Sequence, residues 1–522
     1  MYKNSIFNDV LGPVMTGPSS SHTAGPWRIG YTVGHLINNV ESLTVKFPKN
    51  SSYAGVYKGQ KSDVAMVAGI LGISIDSELF KDAFSIAKER NISITFEIID
   101  TLEDHPNTAI LVLKNKEKII TAKTLSTGGG TIHITEIQEE EVDLKGNTHN
   151  LIVYIQDEKN KVCQLVEDYL EENSIEYQLI RNNDKFILLK LRNRLEDDLL
   201  NSLNTLLKNK SAEGYFIPAV LPITDFKPVE MKFTTAKETL KYCKAHNISF
   251  VEAAILYEIT RSGKSREEIY EYADYLLTVM ENSIKLALSS DLKTSGFLKP
   301  SARKMYALLQ SGKMIDTGVI QKASIYATGI MEVNSAMGVV VASPTAGSCG
   351  ILGGALVSLY ETGKYTRKQI LEAMMCAGLV GIFICEQATF AAEVGGCQAE
   401  MGSSSSMAAA AIAYLIGCDI EQIMNSSSVA LQNMLGLVCD PVAGCVDIPC
   451  VNRNSSGVAN AIVSANMVYG GFDPVIPLDD TIQAMFKVGN MLPRELRCTG
   501  LGGLCDTCKG REIAELMKNK NN

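Results

Sequence analysis

Short stretches of alternating apolar and polar residues occupy the first part of the chain, and helical spacing takes over in the remainder. ISITFEII (92 to 99) and TAILVLKN (108 to 115) read as strands, TIHITEI follows the run Gly128, Gly129, Gly130, and residues 62 to 73 have helical spacing. This mixture predicts an α+β unit over residues 1–147. The acidic run 139 to 141 is expected on a solvated edge. A second unit is expected over 148–217. LIVYIQ reads as a strand, Val162, Leu165, Val166, Tyr169 and Leu170 fall on one helical face, and EYQLIR and KFILLKLR are joined by the turn Asn182, Asn183, Asp184. Leu199, Leu200, Leu203, Leu206 and Leu207 mark a further helix. The order β-α-β-β-α predicts a small ferredoxin-like, ACT-like sandwich. Modules of that kind often bind a regulatory amino acid, but an Asp-x-Pro-Gly ligand turn is missing, so a plain spacer is an equally good reading.

Beyond the proline-containing linker at 218–228, strands almost vanish. Helical patterns run over 235–245, 250–260, 265–289 and 301–310, through a long stretch ending near Ala342, and over 354–360, with Pro344, Gly347 and Gly363 as breaks. Residues 228–522 are therefore expected to form a large, mostly α-helical domain. The fold class is α+β overall, with catalysis expected in the helical part. The longest uninterrupted apolar run, residues 373 to 385, falls short of the roughly 20 that a membrane helix needs and reads as a buried core helix.

Composition narrows the function. The chain has 522 residues, 46% apolar and 20% charged, so it can bury a sizeable core. A formal charge of −9 without a Lys/Arg cluster argues against a nucleic-acid partner. The N-terminus has no charged region followed by an apolar one, so no secretion signal is expected, and the reading is a cytoplasmic protein away from the membrane. Of 13 cysteines only Cys163 and Cys243 precede residue 349, and an odd, uneven set in a reducing compartment favours metal binding or reactivity over disulfides. All six histidines lie in the first half. Soft ligands and titratable bases thus come from opposite ends of the chain, and one reaction using both needs an active site where two units meet.

Three cysteines stand out. Cys397 lies in GGCQAEMGSSSS, and Cys439 and Cys450 bracket CDPVAGCVDIPC, where glycine and proline let backbone amides approach closely. Three thiolates without a neighbouring histidine suggest an iron-sulfur cluster with one open iron. Zinc is the rival metal, but no histidine is placed to complete a site and CxxC occurs once, at Cys505 and Cys508. Any single buried cysteine is more commonly an apolar filler. Cys498, Cys505 and Cys508, in the tail CTGLGGLCDTC, are candidates for a removable fourth ligand. At the other end, MTGPSSSHTAG (15 to 25) offers Ser20, Ser21 and Thr23 as an anion-cradling turn with His22 as a group that titrates near neutral pH. Such a turn alone is more often a helix cap. DHPNT supplies His105 and Asn107, and SPTAGSCG places Thr345, Ala346 and Gly347 in a loop expected directly after an apolar helix, able to present N–H groups to a carboxylate or merely to connect helices.

The segments MTGPSSSHTAG, GVYKGQKSD, DHPNT, STGGGTIHITEI, RSGKSREEI, SPTAGSCGILGG, GGCQAE and CDPVAGCVDIPC together resemble those of the iron-sulfur-dependent L-serine dehydratases, the first four the family's β chain and the others its α chain, fused here. The resemblance implies a [4Fe-4S] cluster held by Cys397, Cys439 and Cys450, and an N-terminal fold similar to a domain of some phosphoglycerate dehydrogenases. Some members cap the fourth iron with a terminal cysteine. This chain ends KNKNN, so the internal tail cysteines are the substitutes, and Gln60 stands where many members have histidine. The implied reaction is α,β-elimination of water from a small amino acid. The open iron would act as Lewis acid on the 3-hydroxyl and His22, or else His105, would take the α-proton. Ser20, Ser21, Thr23, Asn107 and the Thr345, Ala346, Gly347 loop would hold the substrate. Pyridoxal phosphate is not required. L-Threonine or L-cysteine could replace L-serine, an electron-transfer protein with a fourth permanent ligand is the rival of another class, and a homodimer is expected.

Overall fold

The structure, a computed structural model, describes residues 3–156, 159–289, 292 and 296–520. Its layout is α+β, with sheets in the N-terminal region and helices in the C-terminal part. The first sheet has six strands in the order Ser93–Ile99, Ser42–Pro48, Thr108–Lys114, Ile119–Gly128, Thr131–Ile137, Glu140–Leu144, antiparallel except for the first pair. The run expected as a solvated acidic edge is the start of the outermost strand. Gly129 and Gly130, with φ of +60° and +87°, make the two-residue turn between the fourth and fifth strands, a conformation that side chains resist.

Two helices, Gly25–Gly34 and Ser62–Ile70, cross in close contact within this N-terminal region. Their backbones meet at glycines. A Cβ at Gly30 would lie 2.3 Å from the Met66 carbonyl oxygen, and one at Gly69 would lie 2.2 Å from that of Trp27. The crossing therefore fixes the turn Ser20–Ala24, which runs straight into the first helix.

The second sheet is ordered Ala212–Ile217, His149–Ile155, Phe186–Leu191, Tyr177–Asn182, all antiparallel, with helices Lys159–Glu172 and Asp197–Lys208 contributing to its own apolar core. The strand Ala212–Ile217 extends the expected β-α-β-β-α to a complete β-α-β-β-α-β unit. Local pattern missed it because AEGYFI is broken by Gly214. The Asn204 side chain secures that glycine by bonding both its N–H and its carbonyl.

Helices Cys349–Tyr360, Arg367–Gln387 and Ser403–Leu415 are buried nearly all round and centre the C-terminal body. Among the described residues one helix, Arg367–Gln387, is long and apolar enough to cross a membrane, and 78% of its apolar window is buried inside the protein. The long helix expected to end near Ala342 stops instead at Ser335. Met337 adopts φ +57°, and Val339–Val341 forms a strand paired antiparallel with Val14–Thr16. The 343–350 loop consequently follows a strand, and the next helix starts at Cys349 rather than 354. Three consecutive valines favour a strand once a partner exists, and that partner lies more than three hundred residues away in the chain.

The N-terminal segment is bound to the helical body. Ser5 Oγ and Ile6 N each donate at 2.7 Å to the buried Glu258 carboxylate, and Asn8 exchanges two hydrogen bonds with the backbone of Ile223. Gly69→Ala is expected to force the helix pair apart, lowering stability by about 1–3 kcal/mol, read as a lower midpoint in chemical denaturation with secondary structure retained.

Candidate functional site

The turn Ser20–Ala24 buries His22 completely. Its ring lies edge-on to Tyr53, 5.1 Å between centroids. Ser62 Oγ donates to the His22 carbonyl at 2.6 Å, and Ser126 Oγ donates to the Ser21 carbonyl at 2.7 Å, so the crossing helices and the sheet both hold the turn. The His22 Nε2 lies 2.8 Å from Ser52 Oγ. Ser52 gives its one proton to Asn107 Oδ1, so it accepts from Nε2–H. The neutral ring then carries its lone pair on Nδ1, which faces Ser21 Oγ at 3.0 Å and Glu393 Oε1 at 3.4 Å. Ser21 Oγ donates to the same Glu393 oxygen at 2.8 Å. Burial lowers the His22 pKa, while the Glu393 carboxylate pulls it upward.

His105 is half-buried, and its Nδ1 accepts from the Asn107 N–H at 3.1 Å. Burial lowers its pKa too, opposed by Glu393. Asn107 therefore joins the two histidines, through Ser52 on one side and its own backbone on the other. Thr23 is occupied inside the turn, donating to the Gln60 carbonyl at 2.8 Å and accepting from Ser19 N at 3.2 Å.

Glu393 begins a segment that reaches the cysteines. Cys397 follows it, and Glu400 completes it, with its carboxylate against the Thr345 hydroxyl and 3.2 Å from where a Gly347 Cβ would lie. Ala346 N donates to Ser20 Oγ at 3.4 Å, so the loop and the Ser/His turn touch directly. Asn454, fully buried, donates to the carbonyls of Gly347 at 2.7 Å and Cys450 at 2.9 Å and accepts from Gly350 N. One amide thus ties Cys450, the first residue of the helix Cys450–Tyr469, to the loop.

Cys397, Cys439, Cys450 and Cys498 are all buried and act on one another. A hydrogen bond from Cys439 holds Cys397 below the ordinary thiol range, helped by Arg453. Cys439 is pushed well above it by Cys397, by Cys498 and by burial. Burial, then the charges of Cys397 and Glu400, raises Cys450. For Cys498 the bond with Cys439 pulls downward but burial and the two glutamates prevail, so it is raised. Burial and Cys397 push Glu400 up to about 8. Among the described residues no three His, Cys, Asp or Glu side chains close round a single ion. A zinc site would need four donors about 2.0–2.3 Å from one point.

The tail is pinned beside Cys439. Cys439 N donates to the Leu496 carbonyl at 2.8 Å, Cys498 N donates to the Cys439 carbonyl at 2.9 Å, and Asp440 accepts from Leu504 N at 2.9 Å. Arg453 bonds Asp440 at 3.0 Å and the Val438 carbonyl at 2.6 Å. Of the tail candidates, Cys498 alone acts on Cys439. Cys505 lines a separate cavity of about 720 Å3 with Lys58, Lys61, Cys445 and Asp447, and Cys508 is exposed.

A family model described as serine dehydratase alpha chain matches residues 244–505. The chain belongs to that family. The probable L-serine dehydratase alpha chain of Bacillus subtilis is 40% identical over 281 residues, covering 54% of this chain and 94% of the relative. The L-serine dehydratase 1 of Escherichia coli is 32% identical over 290 residues, 53% of this chain and 62% of that protein. The L-serine dehydratase of Helicobacter pylori is 25% identical over 512 residues, 94% of this chain and 97% of that protein. That near full-length alignment places the residues ahead of 244 in the same arrangement, the two dehydratase chains fused into one polypeptide.

Sequence reasoning missed Glu393, Glu400, Ser52, Asn454 and Arg453. The two glutamates flank Cys397 four residues before it and three after, a spacing visible in EVGGCQAE. Ser52 and Asn454 have no local signal, because their partners are distant in sequence. Since the folded pKa of His22 lies below the unfolded value of about 6.5, its contribution to stability is complete above that pH and is lost as pH falls below it. Denaturation midpoints measured between pH 5 and 8 should fall on the acid side, at up to about 1.4 kcal/mol per pH unit for this group, and His22→Gln should flatten part of that slope.

Proposed function

We propose that this chain dehydrates and deaminates L-serine to pyruvate and ammonia, using a [4Fe-4S] cluster held by Cys397, Cys439 and Cys450. The observation that carries the reading is the segment from Glu393 to Glu400, which has one carboxylate on His22, the other on Thr345, and Cys397 between them. The donor set fits the cofactor. Four buried thiols, Cys397, Cys439, Cys450 and Cys498, act on one another, as the soft donors of an iron-sulfide core would, and they sit beside the carboxylates of Glu393 and Glu400, with the Arg453 cation acting on the thiols. When bound, the cluster supplies a Lewis-acidic iron that makes the substrate's 3-hydroxyl a better leaving group.

The protein's own groups do the rest. Ser20, Ser21 and the Thr345, Ala346, Gly347 loop form the wall shared by both halves and hold the substrate carboxylate and ammonium. Thr23 and Asn107 keep the turn and His22 in place. The α C–H bond breaks, its electron pair forms the Cα–Cβ double bond, and the C–O bond breaks as hydroxide leaves. His22 receives the proton at Nδ1. Because the ring is fully enclosed, the half-buried Ser21 hydroxyl relays that proton, turning its own O–H from Glu393 to Nδ1 as it accepts the substrate's proton, and Glu393 stabilises the imidazolium. His105, further along the Ser52 and Asn107 chain, is the second candidate. The product, 2-aminoacrylate, hydrolyses to pyruvate and ammonia without the protein. The 1–147, 148–217 and 228–522 division, action on L-serine rather than L-threonine or L-cysteine, a homodimer and a cytoplasmic location belong to the same proposal.

Cys498 bears on the rival reading, because an electron-transfer protein would keep a fourth permanent thiolate. We assign it as a removable cap. It sits in the irregular tail at φ +60°, a left-handed conformation that costs a non-glycine residue of order 1 kcal/mol, and two backbone bonds beside Cys439 hold it there.

Protein prepared and assayed without oxygen should contain iron and sulfide and release pyruvate from L-serine, losing both on prolonged exposure to air; cluster-free protein under those conditions would refute the reading. His22→Ala should lower turnover by about 10² to 10⁴-fold while iron content stays unchanged. Cys397→Ser, Cys439→Ser and Cys450→Ser should each abolish the cluster, whereas Cys498→Ser should retain it with an altered resting spectrum. Loss of the cluster in Cys498→Ser would favour electron transfer.

A further inference from the structure

Of the two carboxylates that flank Cys397, only Glu393 takes part in the proton transfer at His22. The other, Glu400, lies in the turn Gln398–Gly402 and is the one residue of that turn to keep accessible surface. Its carboxyl meets the Thr345 hydroxyl, and both of its oxygens come within 3.2 Å of the point where a Cβ on Gly347 would stand. A glycine there leaves room in front of the carboxyl, on the side of the Thr345, Ala346, Gly347 loop. Beyond Thr345, no described residue hydrogen-bonds it. The loop touches the Ser/His turn through Ala346 and Ser20, and it is tied to Cys450 through Gly347 and Asn454. Glu400, three residues beyond Cys397, therefore stands where the groups assigned to substrate meet the thiols assigned to the cluster.

Elimination of water needs two opposite proton movements: Cα gives up a proton and the departing oxygen gains one. The surroundings tune His22 and Glu400 apart in that sense. Burial favours the neutral imidazole, which can accept a proton, whereas burial and then the Cys397 charge push the Glu400 carboxyl up to about 8, so that it holds a proton at neutral pH. A neutral carboxylic acid is a poor partner for an ammonium group and a good donor to an oxygen that is gathering charge.

We propose that Glu400 is the general acid of the reaction, giving its proton to the substrate's 3-oxygen as the C–O bond breaks, so that water rather than hydroxide departs. The electron pair of the C–O bond stays on oxygen and takes the Glu400 proton, while the α-proton passes by Ser21 to His22. One turnover leaves Glu400 ionised and His22 protonated, and return of one proton to the first and loss of one from the second restore both. This role rests on the dehydratase reading.

The test uses the full-length, anaerobically prepared holoenzyme and compares L-serine with β-fluoro-L-alanine, whose leaving group is close in size to a hydroxyl but departs as a stable anion without a proton. Glu400→Gln keeps the shape of the neutral acid. It should retain the iron and sulfide content and the KM for L-serine, lower kcat on L-serine by about 10² to 10⁴-fold, and release pyruvate and fluoride from β-fluoro-L-alanine at close to the wild-type rate. In the wild type, kcat for L-serine should fall above about pH 8, as Glu400 loses its proton, and that fall should be absent with β-fluoro-L-alanine and absent from Glu400→Gln. Infrared spectra at neutral pH should show a protonated-carboxyl band that Glu400→Gln removes. Near-normal kcat on L-serine, equal losses on the two compounds, or an alkaline fall that persists in the variant would overturn the proposal. Should the variant lose its cluster, the wild-type profiles decide, and matching alkaline falls with both compounds would overturn it. Cluster-loaded wild type that forms no pyruvate from L-serine would count against the dehydratase reading, whereas pyruvate formation undiminished in Glu400→Gln counts against this role alone.

Discussion

Burying negative charge in the protein interior is the constraint on which the centre of this molecule depends. Four thiols and two carboxylates occupy one enclosed region, and the Arg453 guanidinium is the cation that acts on the thiols. Their ionisation is therefore mutually exclusive to a large degree. A thiolate at Cys397 is held by the Cys439 proton and by Arg453, and its charge then raises Cys450 and Glu400. Without a further positive group such a region holds protons. A cationic iron-sulfide core would displace them as it binds, coupling assembly of the centre to pH and to folding. The aliphatic helices around it keep water out and so strengthen every one of these interactions.

The architecture brings the two ends of the chain to that region by a few specific bonds. Val14–Thr16 pairs with Val339–Val341, Asn334 Nδ2 donates to the Pro18 carbonyl at 2.8 Å, and Glu258 holds Ser5 and Ile6. These contacts lie just ahead of the Ser/His turn in sequence, so its position is set by the helical body as much as by its own unit. A histidine delivered in this way is preorganised for the role proposed for it. The cost of aligning it has been met in folding rather than at each encounter with substrate.

Much of the fold was legible because periodicity is local. The strands 93–99, 108–114 and 131–137 and most helices between 235 and 387 follow from alternation and helical spacing alone. What escaped depends on partners distant in the chain. The valines at 339–341 look like the end of a helix until Val14–Thr16 is beside them, and AEGYFI becomes a strand only against His149–Ile155. The site divides in the same way. Histidine in a serine turn and cysteines among glycines and prolines announce chemistry from composition. A glutamate does not, because its role lies in which neighbour it faces. Cys498, Cys505 and Cys508 were indistinguishable in sequence, and three-dimensional placement separates them by burial and by contact with Cys439.

Placing the fourth thiol on an irregular tail has a physical consequence. A thiol on a helix of the core would be held at its partner at very high effective concentration, and a millimolar substrate hydroxyl, a far weaker ligand, could not compete. Cys498 is held by backbone bonds to Cys439, by a salt-bridged Asp440 that also anchors Leu504, and against the strain of its own φ. Each restraint is small, and they lie along one short segment. On the proposed reading, the segment that shields the centre when nothing is bound would leave it when a substrate supplies its own binding energy elsewhere in the site. Local stability of this tail, rather than thiol affinity alone, would then set the balance between a protected and an open centre.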